Sequence, residues 1–167
     1  MKLVRIAPCL WFNDAAEAAV AQYVRVFPGS CIVRTLRYDA AAARQAGRPV
    51  GSVLSIEFEL GGQPFTALNG GPLFRFNESI SFVVQCATQD EVDHYWQALG
   101  EGGDASAQQC GWLKDRFGVS WQVVPAALPD WLADPDPARA ARVMRAVLAM
   151  RRLDIAALER AWRGEPA

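Results

Sequence analysis

The sequence predicts an α+β fold of two tandem β-α-β-β-β units that form a curved mixed sheet, followed by C-terminal helices. Three observations predict it. In the first half of the chain, a strand-like segment is followed by an alanine-rich helical segment and then by a hairpin. A strand, a helix and a hairpin recur in that order after residue 77. From residue 126 onward, Ala, Arg and Leu dominate, which favours helices.

The first predicted unit spans residues 1–71. A helix is expected from Asn13 or Asp14, either of which can cap it, to Val26. The alanine-rich, polar segment 39–49 is predicted to be a mobile loop. Four segments alternate as strands: 4–12, 31–38, 50–60 and 63–68.

The second predicted unit, residues 77–125, is a degraded copy of the first. Residues 79–86 alternate as a strand. Thr88 and Glu91 then have the spacing of a capping box, which starts a helix. A strand near residues 105–108 is short or absent, so this copy has fewer strands than the first.

A hairpin closes the second unit. Gly118 supplies the positive φ that its turn needs. Polar Ser120 and Gln122 alternate with apolar residues, which indicates one packed face and one wetter face. The hairpin consists of a strand, a turn and a second strand: 110–114, 115–118 and 119–124.

Two helices are predicted in the tail, residues 126–167, with Asp136 and Asp154 as their N-caps. Three arginines repeat at helical spacing along the first of them: Arg139, Arg142 and Arg145. This basic stripe is either a solvated helix face or a surface for an acidic partner.

The composition favours one globular domain over residues 1–167, because 51% of the residues are hydrophobic and 21% are charged. The net charge of −1 argues against a nucleic-acid-binding surface. No apolar run approaches the roughly 20 residues of a membrane span. The first residues do not form a signal peptide, so we expect a cytoplasmic protein. Its widely spaced cysteines should then be reduced: Cys9, Cys31, Cys86 and Cys110.

The closing hairpin carries a specific resemblance. Asp115, Gly118 and Gln122 have the spacing Asp-x-x-Gly-x-x-x-Gln, which is similar to the closing turn and last strand of the vicinal oxygen chelate superfamily of glyoxalase and bleomycin-resistance proteins. The wider segment 109–125 resembles the PhnB-like branch, whose members often bear the label 3-demethylubiquinone-9 3-methyltransferase. The resemblance extends over nearly the whole chain. It implies the two-unit fold and pairing into a homodimer.

The resemblance also implies four metal-donor places, typically His, Glu or Gln. They fall on Ala7, on Thr66 within the segment Phe65 to Leu68, on Ser79 and on Gln122. A tight nickel, iron or zinc site needs several imidazoles or carboxylates. One amide and two hydroxyls do not supply them, so we expect neither a tightly bound metal nor a cofactor.

The sequence gives little indication of general-base or nucleophilic catalysis. His94, the only histidine, lies on a predicted helix and is expected at the surface, which leaves no Cys-His or Ser-His pair. The thiol of Cys110 would be reactive if Lys114 lowered its pKa; otherwise it is a small buried hydrophobe.

The label of the branch implies methyl transfer from S-adenosylmethionine. That cofactor usually binds a glycine-rich loop after the first strand of a doubly wound sheet. Here the first strand leads into Asn13-Asp14-Ala15-Ala16 without glycine, so the sequence argues against the label.

The residues that remain predict a concave cavity with aromatic walls and a few polar groups, which suits a small organic ligand. The predicted ligand-binding residues are Cys9, Trp11, Asn69, Ser79, Ser81, Gln85, Cys110, Trp112, Ser120 and Gln122. The same side chains could instead fill a packed or dimer-buried core. Two functions stay open: a metal-free small-molecule-binding protein of the glyoxalase/bleomycin-resistance type, or an enzyme of that superfamily with a diverged site.

Overall fold

The computed structural model describes residues 4–166. The chain divides into two compact units, which we call unit 1 (Met1–Phe76) and unit 2 (Asn77–Ala167). Each contains a mixed sheet with a helix against it, and the predicted α+β class is confirmed. The finer division into residues 1–71, 77–125 and 126–167 of a single domain stays a prediction.

Unit 1 has the four strands and the first helix of the predicted β-α-β-β-β order, with a short second helix between the second and third strands. Its elements are β1 Cys9–Phe12, α1 Ala16–Val26, β2 Cys31–Arg37, α2 Ala40–Ala46, β3 Val53–Leu60 and β4 Gln63–Asn69. The sheet order is β1-β4-β3-β2. β1 and β4 are parallel, and the other pairs are antiparallel.

One face of this sheet packs against α1, which contacts β3 and β4. The sheet contributes buried side chains to that packing: Leu10, Phe12, Ile56, Phe58, Phe65 and Ala67. Because strand side chains alternate, the residues between them point to the opposite side. We call that side the unit 1 face; it comprises Cys9, Trp11, Arg34, Glu57, Thr66 and Leu68.

Two predictions for unit 1 are wrong. The segment 39–49 is not a loop but contains α2, because Asp39 caps it by accepting a hydrogen bond from the Ala42 N–H at 2.8 Å and Gly47 ends it with φ of 63°. The predicted strand 4–12 is shorter than expected, since β1 begins at Cys9, and of the residues before it the Pro8 carbonyl still accepts a hydrogen bond from the Thr66 N–H at 2.9 Å.

The predicted N-caps of α1 are also wrong. The N-cap is Ala15, which has no capping side chain. The Asn69 side chain, 53 residues away, accepts the hydrogen bond of the Ala16 N–H instead, at 2.9 Å. The sheet therefore caps this helix.

Unit 2 combines a shorter β-α-β-β arrangement with the helical tail. Its regular elements are β5 Phe82–Cys86, α3 Gln89–Gly100, β6 Trp112–Lys114, β7 Ser120–Pro125, α4 Leu128–Leu132, α5 Pro137–Leu148 and α6 Ile155–Arg163. The sheet order β5-β7-β6 matches the first three positions of unit 1, with β5 and β7 parallel. Residues 105–107, where a short or absent strand was predicted, form a 3₁₀ turn that contacts β6.

The predicted caps of unit 2 are confirmed, but two strand boundaries differ. Thr88 and Glu91 form the capping box of α3. β5 begins at Phe82, not at residue 79. β6 begins at Trp112, because Cys110 and Gly111 form a tight turn with φ of 55° and 84°.

The tail packs as a small helical core against the end of β7. Asp136 and Asp154 cap α5 and α6 as predicted, whereas α4 was not predicted. The core of the tail consists of Val124, Leu128, Val143, Val147, Leu153 and Leu158. None of the helices in residues 4–166 is long and apolar enough to cross a membrane.

The basic stripe of the tail is largely engaged within the tail itself. Arg142 donates hydrogen bonds to the Ala161 and Trp162 carbonyls, at 2.9 and 3.0 Å. Arg139 lies over the Trp162 ring and forms an ion pair with Asp134. These contacts fix α6 against α5.

Candidate functional site

The closing hairpin of unit 2 is held by the buried carboxylate of Asp115. It accepts hydrogen bonds from the Phe117 and Val119 N–H groups at 2.9 and 3.0 Å, and from the Trp121 indole at 2.9 Å. Gly118 has the expected positive φ, 89°. These contacts fix the direction of β7, so that Trp121 packs inward and its neighbour Gln122 points to the other side.

That other side is the best-defined candidate site, and we call it the unit 2 face. It comprises Ser81, Val83, Gln85, Trp112, Lys114, Ser120 and Gln122. The opposite side of the sheet is buried and contacts α3. On the unit 2 face, Gln122 lies between Val83 on β5 and Trp112 on β6.

Three polar side chains lie on the unit 2 face with Trp112, which is aligned with one of them, Gln122. The half-buried Gln122 amide donates a hydrogen bond to the Ser81 hydroxyl at 2.9 Å. Ser120 is only 2% exposed, and its Oγ has no hydrogen-bond partner among residues 4–166. A buried hydroxyl without a partner is costly, so Ser120 is an unsatisfied polar group within this face.

Two features bound the face along β7. At one end, Val124 packs into the tail core. At the other end, Lys114 lies opposite Ser120 and forms an ion pair with Glu78. The hydrogen bond from Lys114 lowers the pKa of the Glu78 carboxyl, which favours its ionised form.

The structure gives Lys114 a different partner from the one considered in the sequence. Cys110 lies in the turn before β6 and packs against the tail core, and its N–H donates to the Met150 carbonyl at 2.8 Å. It does not share a strand face with Lys114. Glu78 was missed because an acidic residue in a loop carries no pattern that distinguishes it from any other surface carboxylate.

The remaining predicted residues of unit 2 lie at the edge of this face. Gln85 is exposed and aligned with Val124. Ser79 lies before β5, and its hydroxyl bonds the Asn77 side chain at 2.5 Å.

In unit 1, the three predicted residues do not share a face. Cys9 and Trp11 lie on the unit 1 face, whereas the buried Asn69 lies on the side covered by α1. Besides accepting from Ala16, the Asn69 amide donates to the Val53 carbonyl at 3.1 Å. Its side chain therefore connects helix and sheet.

The Trp11 ring is held by the loop that follows β4. Its indole N–H donates to the Gly71 carbonyl at 2.9 Å, and Phe74 contacts the ring edge-on with centroids 5.0 Å apart. A Cβ atom on Gly70 would come within 2.3 Å of the ring. Much of this indole is thus already engaged by protein.

An ion pair that was not predicted lies on the unit 1 face. Glu57 lies between Thr66 and Arg34 in the sheet register and pairs with the Arg34 guanidinium. On β1, Cys9 is aligned with Thr66 and so lies on the same line of side chains across the sheet. Partial burial raises the pKa of the Cys9 thiol. The alternation of polar and apolar residues in β3 predicts that Glu57 lies on a polar face. It does not indicate that Arg34 on the neighbouring strand is its partner.

The four implied metal-donor places do not fit a metal centre. Ala7 has no ligand atom, and Ser79 lies outside the strand. Thr66 and Gln122 offer a hydroxyl and a neutral amide, whereas tight transition-metal sites use imidazole, thiolate or carboxylate. Among the described residues, no group of three or more His, Cys, Asp or Glu side chains is placed to hold a metal.

His94 is exposed on α3, as expected, and its ring contacts Tyr95 edge-on. It lines an open cavity of about 470 Å³ with Trp96, Glu101 and Gln108. α3 packs on the side of the sheet opposite the unit 2 face, so this histidine does not contribute to that face.

Comparisons with known proteins agree with this fold. The family model described as 3-demethylubiquinone-9 3-methyltransferase matches residues 4–124. The solved PhnB protein from Bacillus cereus is 31% identical, with 74% of this chain and 100% of that chain covered and a TM-score of 0.62. Protein PA1353 from Pseudomonas aeruginosa is 20% identical, with 74% and 98% covered and a TM-score of 0.55. A comparison with curated proteins found no match.

The family match covers most of the chain, and the PhnB protein is aligned over its full length. The resemblance seen in the closing hairpin is therefore confirmed. The chain belongs to the 3-demethylubiquinone-9 3-methyltransferase family, the PhnB-like branch of the vicinal oxygen chelate superfamily.

Proposed function

We propose that this protein binds a small, partly aromatic molecule on the unit 2 face without a metal. The observation that carries the proposal is the group formed by the Gln122–Ser81 hydrogen bond, the Trp112 ring and the buried Ser120 hydroxyl. Small-molecule sites typically combine an apolar wall with a few polar groups that orient the ligand.

Each member of this group has a separate role in the proposed site. The half-buried ring of Trp112 supplies a flat apolar surface, and aromatic stacking contributes about 0.5–1.5 kcal/mol beyond area burial. Gln122 and Ser81 orient a polar group of the ligand. Ser120 gains the hydrogen-bond partner that it lacks among the described residues.

The family description names a methyltransferase, and the superfamily implies a metal. Neither fits the residues of this chain. β1 leads into α1 through residues 13–15, which contain no glycine to approach a nucleotide, and each sheet is mixed and contains antiparallel pairs, unlike a doubly wound parallel sheet. The donor places lack imidazole and carboxylate groups. We therefore derive no methyl-transfer or metal-assisted step.

The proposal is tested with benzamide, a neutral aromatic amide, by NMR titration of the ¹⁵N-labelled protein. Shifts should concentrate at Trp112, Gln122 and Ser120. Trp112→Ala should weaken binding by about threefold to tenfold, from the loss of stacking and apolar contact. Trp96→Ala is the matched control, because Trp96 lies on α3, away from the unit 2 face. EDTA should change neither the binding nor the melting temperature.

Two results would overturn the proposal. Benzamide and its carboxylate analogue benzoate could both fail to shift the unit 2 face. Alternatively, native mass spectrometry of freshly purified protein could find a stoichiometric metal that is lost in Gln122→Ala.

We further propose that the protein is a cytoplasmic homodimer. Support comes from its free cysteines and from apolar side chains left exposed on α5, where Met144 and Leu148 lie one turn apart and are 43% and 57% exposed. Light scattering should give twice the chain mass of 18.3 kDa. The combined substitution of Met144 and Leu148 by Gln should return the single-chain mass; a monomeric wild-type protein would refute the dimer.

A further inference from the structure

We propose that the ligand of the unit 2 face carries a carboxylate, which replaces Glu78 as the partner of Lys114. This inference rests on the proposed function and names the chemical class of its ligand. Glu78 is then an internal competitor: its carboxylate occupies the position beside the Lys114 ammonium until the carboxylate of a ligand displaces it.

The position of Lys114 supports this role. It lies two residues after Trp112 on β6, so both side chains point to the unit 2 face. It also lies directly opposite Ser120 in the sheet register. A ligand whose ring stacks on Trp112 can thus direct a substituent toward Lys114 and Ser120.

The two partners of the ion pair differ in how firmly the fold holds them. The Lys114 side chain is 23% exposed and belongs to a strand, whereas the Glu78 side chain is 59% exposed and precedes β5. Exposed ion pairs contribute little stability, so the Glu78 carboxylate can be exchanged at small cost. The lysine cannot leave the face as readily, since its backbone is paired with β7.

A carboxylate fits this position better than a neutral group does. Its two oxygens offer about four acceptor sites, so one oxygen can accept from the Lys114 ammonium and the other from the Ser120 hydroxyl. The ligand would satisfy a buried donor that has no partner among residues 4–166. It would also keep the charge of the half-buried lysine compensated.

The test compares benzoate with benzamide, which have the same ring and differ in charge. Dissociation constants are measured by NMR titration on the wild-type protein, Glu78→Gln and Lys114→Met. We expect benzoate to bind more tightly than benzamide to the wild type. Glu78→Gln should strengthen benzoate binding by about twofold to fivefold, because an exposed ion pair such as Lys114–Glu78 contributes little free energy and its removal gains correspondingly little. Lys114→Met should weaken it by about tenfold, as for a charge-assisted hydrogen bond.

Benzamide and a charge control separate this inference from general effects. Benzamide affinity should change less than twofold in both variants, because a neutral amide does not compete for the lysine. Asp90→Asn removes the same charge from an exposed side chain in the first turn of α3, which packs on the opposite side of the sheet, and should leave both probes unaffected.

The outcomes distinguish the two proposals. If neither probe shifts the unit 2 face, the proposed function itself is wrong, and the present inference falls with it. If both probes bind there equally and Glu78→Gln changes neither, only the carboxylate inference is overturned. Should Lys114→Met fail to fold, the wild-type preference and the Glu78→Gln measurement still decide it.

Discussion

The Asp115 carboxylate accepts a hydrogen bond of 2.9 Å from the indole N–H of Trp121, which lies on the strand that follows the closing turn. The aspartate is 2% exposed, and the same carboxylate holds the turn through two backbone N–H groups. The Asp of the Asp-x-x-Gly-x-x-x-Gln spacing is therefore a structural residue. It sets β7 so that the Gln of the same spacing lies on the unit 2 face.

Asp115→Ala should lower the free energy of unfolding by about 3 kcal/mol, because three N–H donors, two of them in buried hydrogen bonds, lose a charged acceptor. Urea unfolding followed by tryptophan fluorescence measures this loss. The exposed Asp130→Ala is the control and should change stability little. A loss below about 1 kcal/mol would show that the donors find other partners.

Gly70→Ala should destabilise unit 1 by about 1–3 kcal/mol through overpacking, since the added methyl group would overlap the Trp11 ring at 2.3 Å. Thermal unfolding and the NMR shift of the Trp11 indole N–H report the change. In the control, Gly100→Ala, the methyl group meets its nearest atom at 3.5 Å, an ordinary contact. Equal melting temperatures for the two variants would contradict the close packing of Trp11.

Arg142→Gln should destabilise the tail by about 1–2 kcal/mol, because the guanidinium satisfies two terminal carbonyls of α6. Arg145→Gln tests the same substitution one turn away, on an exposed side chain of α5, and should cost less than half as much. Hydrogen exchange of the α6 amides localises the effect. If both variants lose the same stability, the effect comes from net charge and not from the cap.

The four thiols should react at different rates with an alkylating reagent at pH 8. Burial, with a smaller contribution from Glu91, raises the pKa of the Cys86 thiol to about 11, so almost no thiolate forms at that pH. The exposed Cys31 should react first, and Cys86 only after unfolding. Peptide mapping after timed alkylation checks the order, with guanidinium-unfolded protein as the control. Rapid labelling of Cys86 in the folded protein would contradict its burial.

Features encoded by local pattern were predictable. The alternation of β3, the capping box at Thr88 and Glu91, and the turn glycine Gly118 each act within a few residues, so composition and spacing reveal them. The same reasoning could have found α2, since Asp39 and Gly47 flank an alanine-rich segment in the positions of an N-cap and a C-cap. The prediction of a loop at residues 39–49 wrongly gave more weight to the polar side chains of the segment than to the helix propensity of its alanines.

Features that join distant segments were not predictable from the sequence. α1 is capped by Asn69 across 53 residues. Glu57 meets Arg34 only through the register of β2 and β3. Cys110 leaves the predicted strand because a turn with positive φ brings its N–H to Met150 in the tail. Periodicity does not contain such pairings, which depend on how strands align and helices pack.

The class of fold, the family and the lack of imidazole and carboxylate groups at the donor places could be read from the sequence, because they follow from local periodicity and from the functional groups of the side chains. Which polar groups share a face became known only from the folded chain. It placed Gln122, Ser81 and Trp112 together, paired Lys114 with Glu78, and moved Asn69 to the helix side. The physical reason is that a side chain's neighbours across a sheet are set by register, which one strand's sequence does not specify.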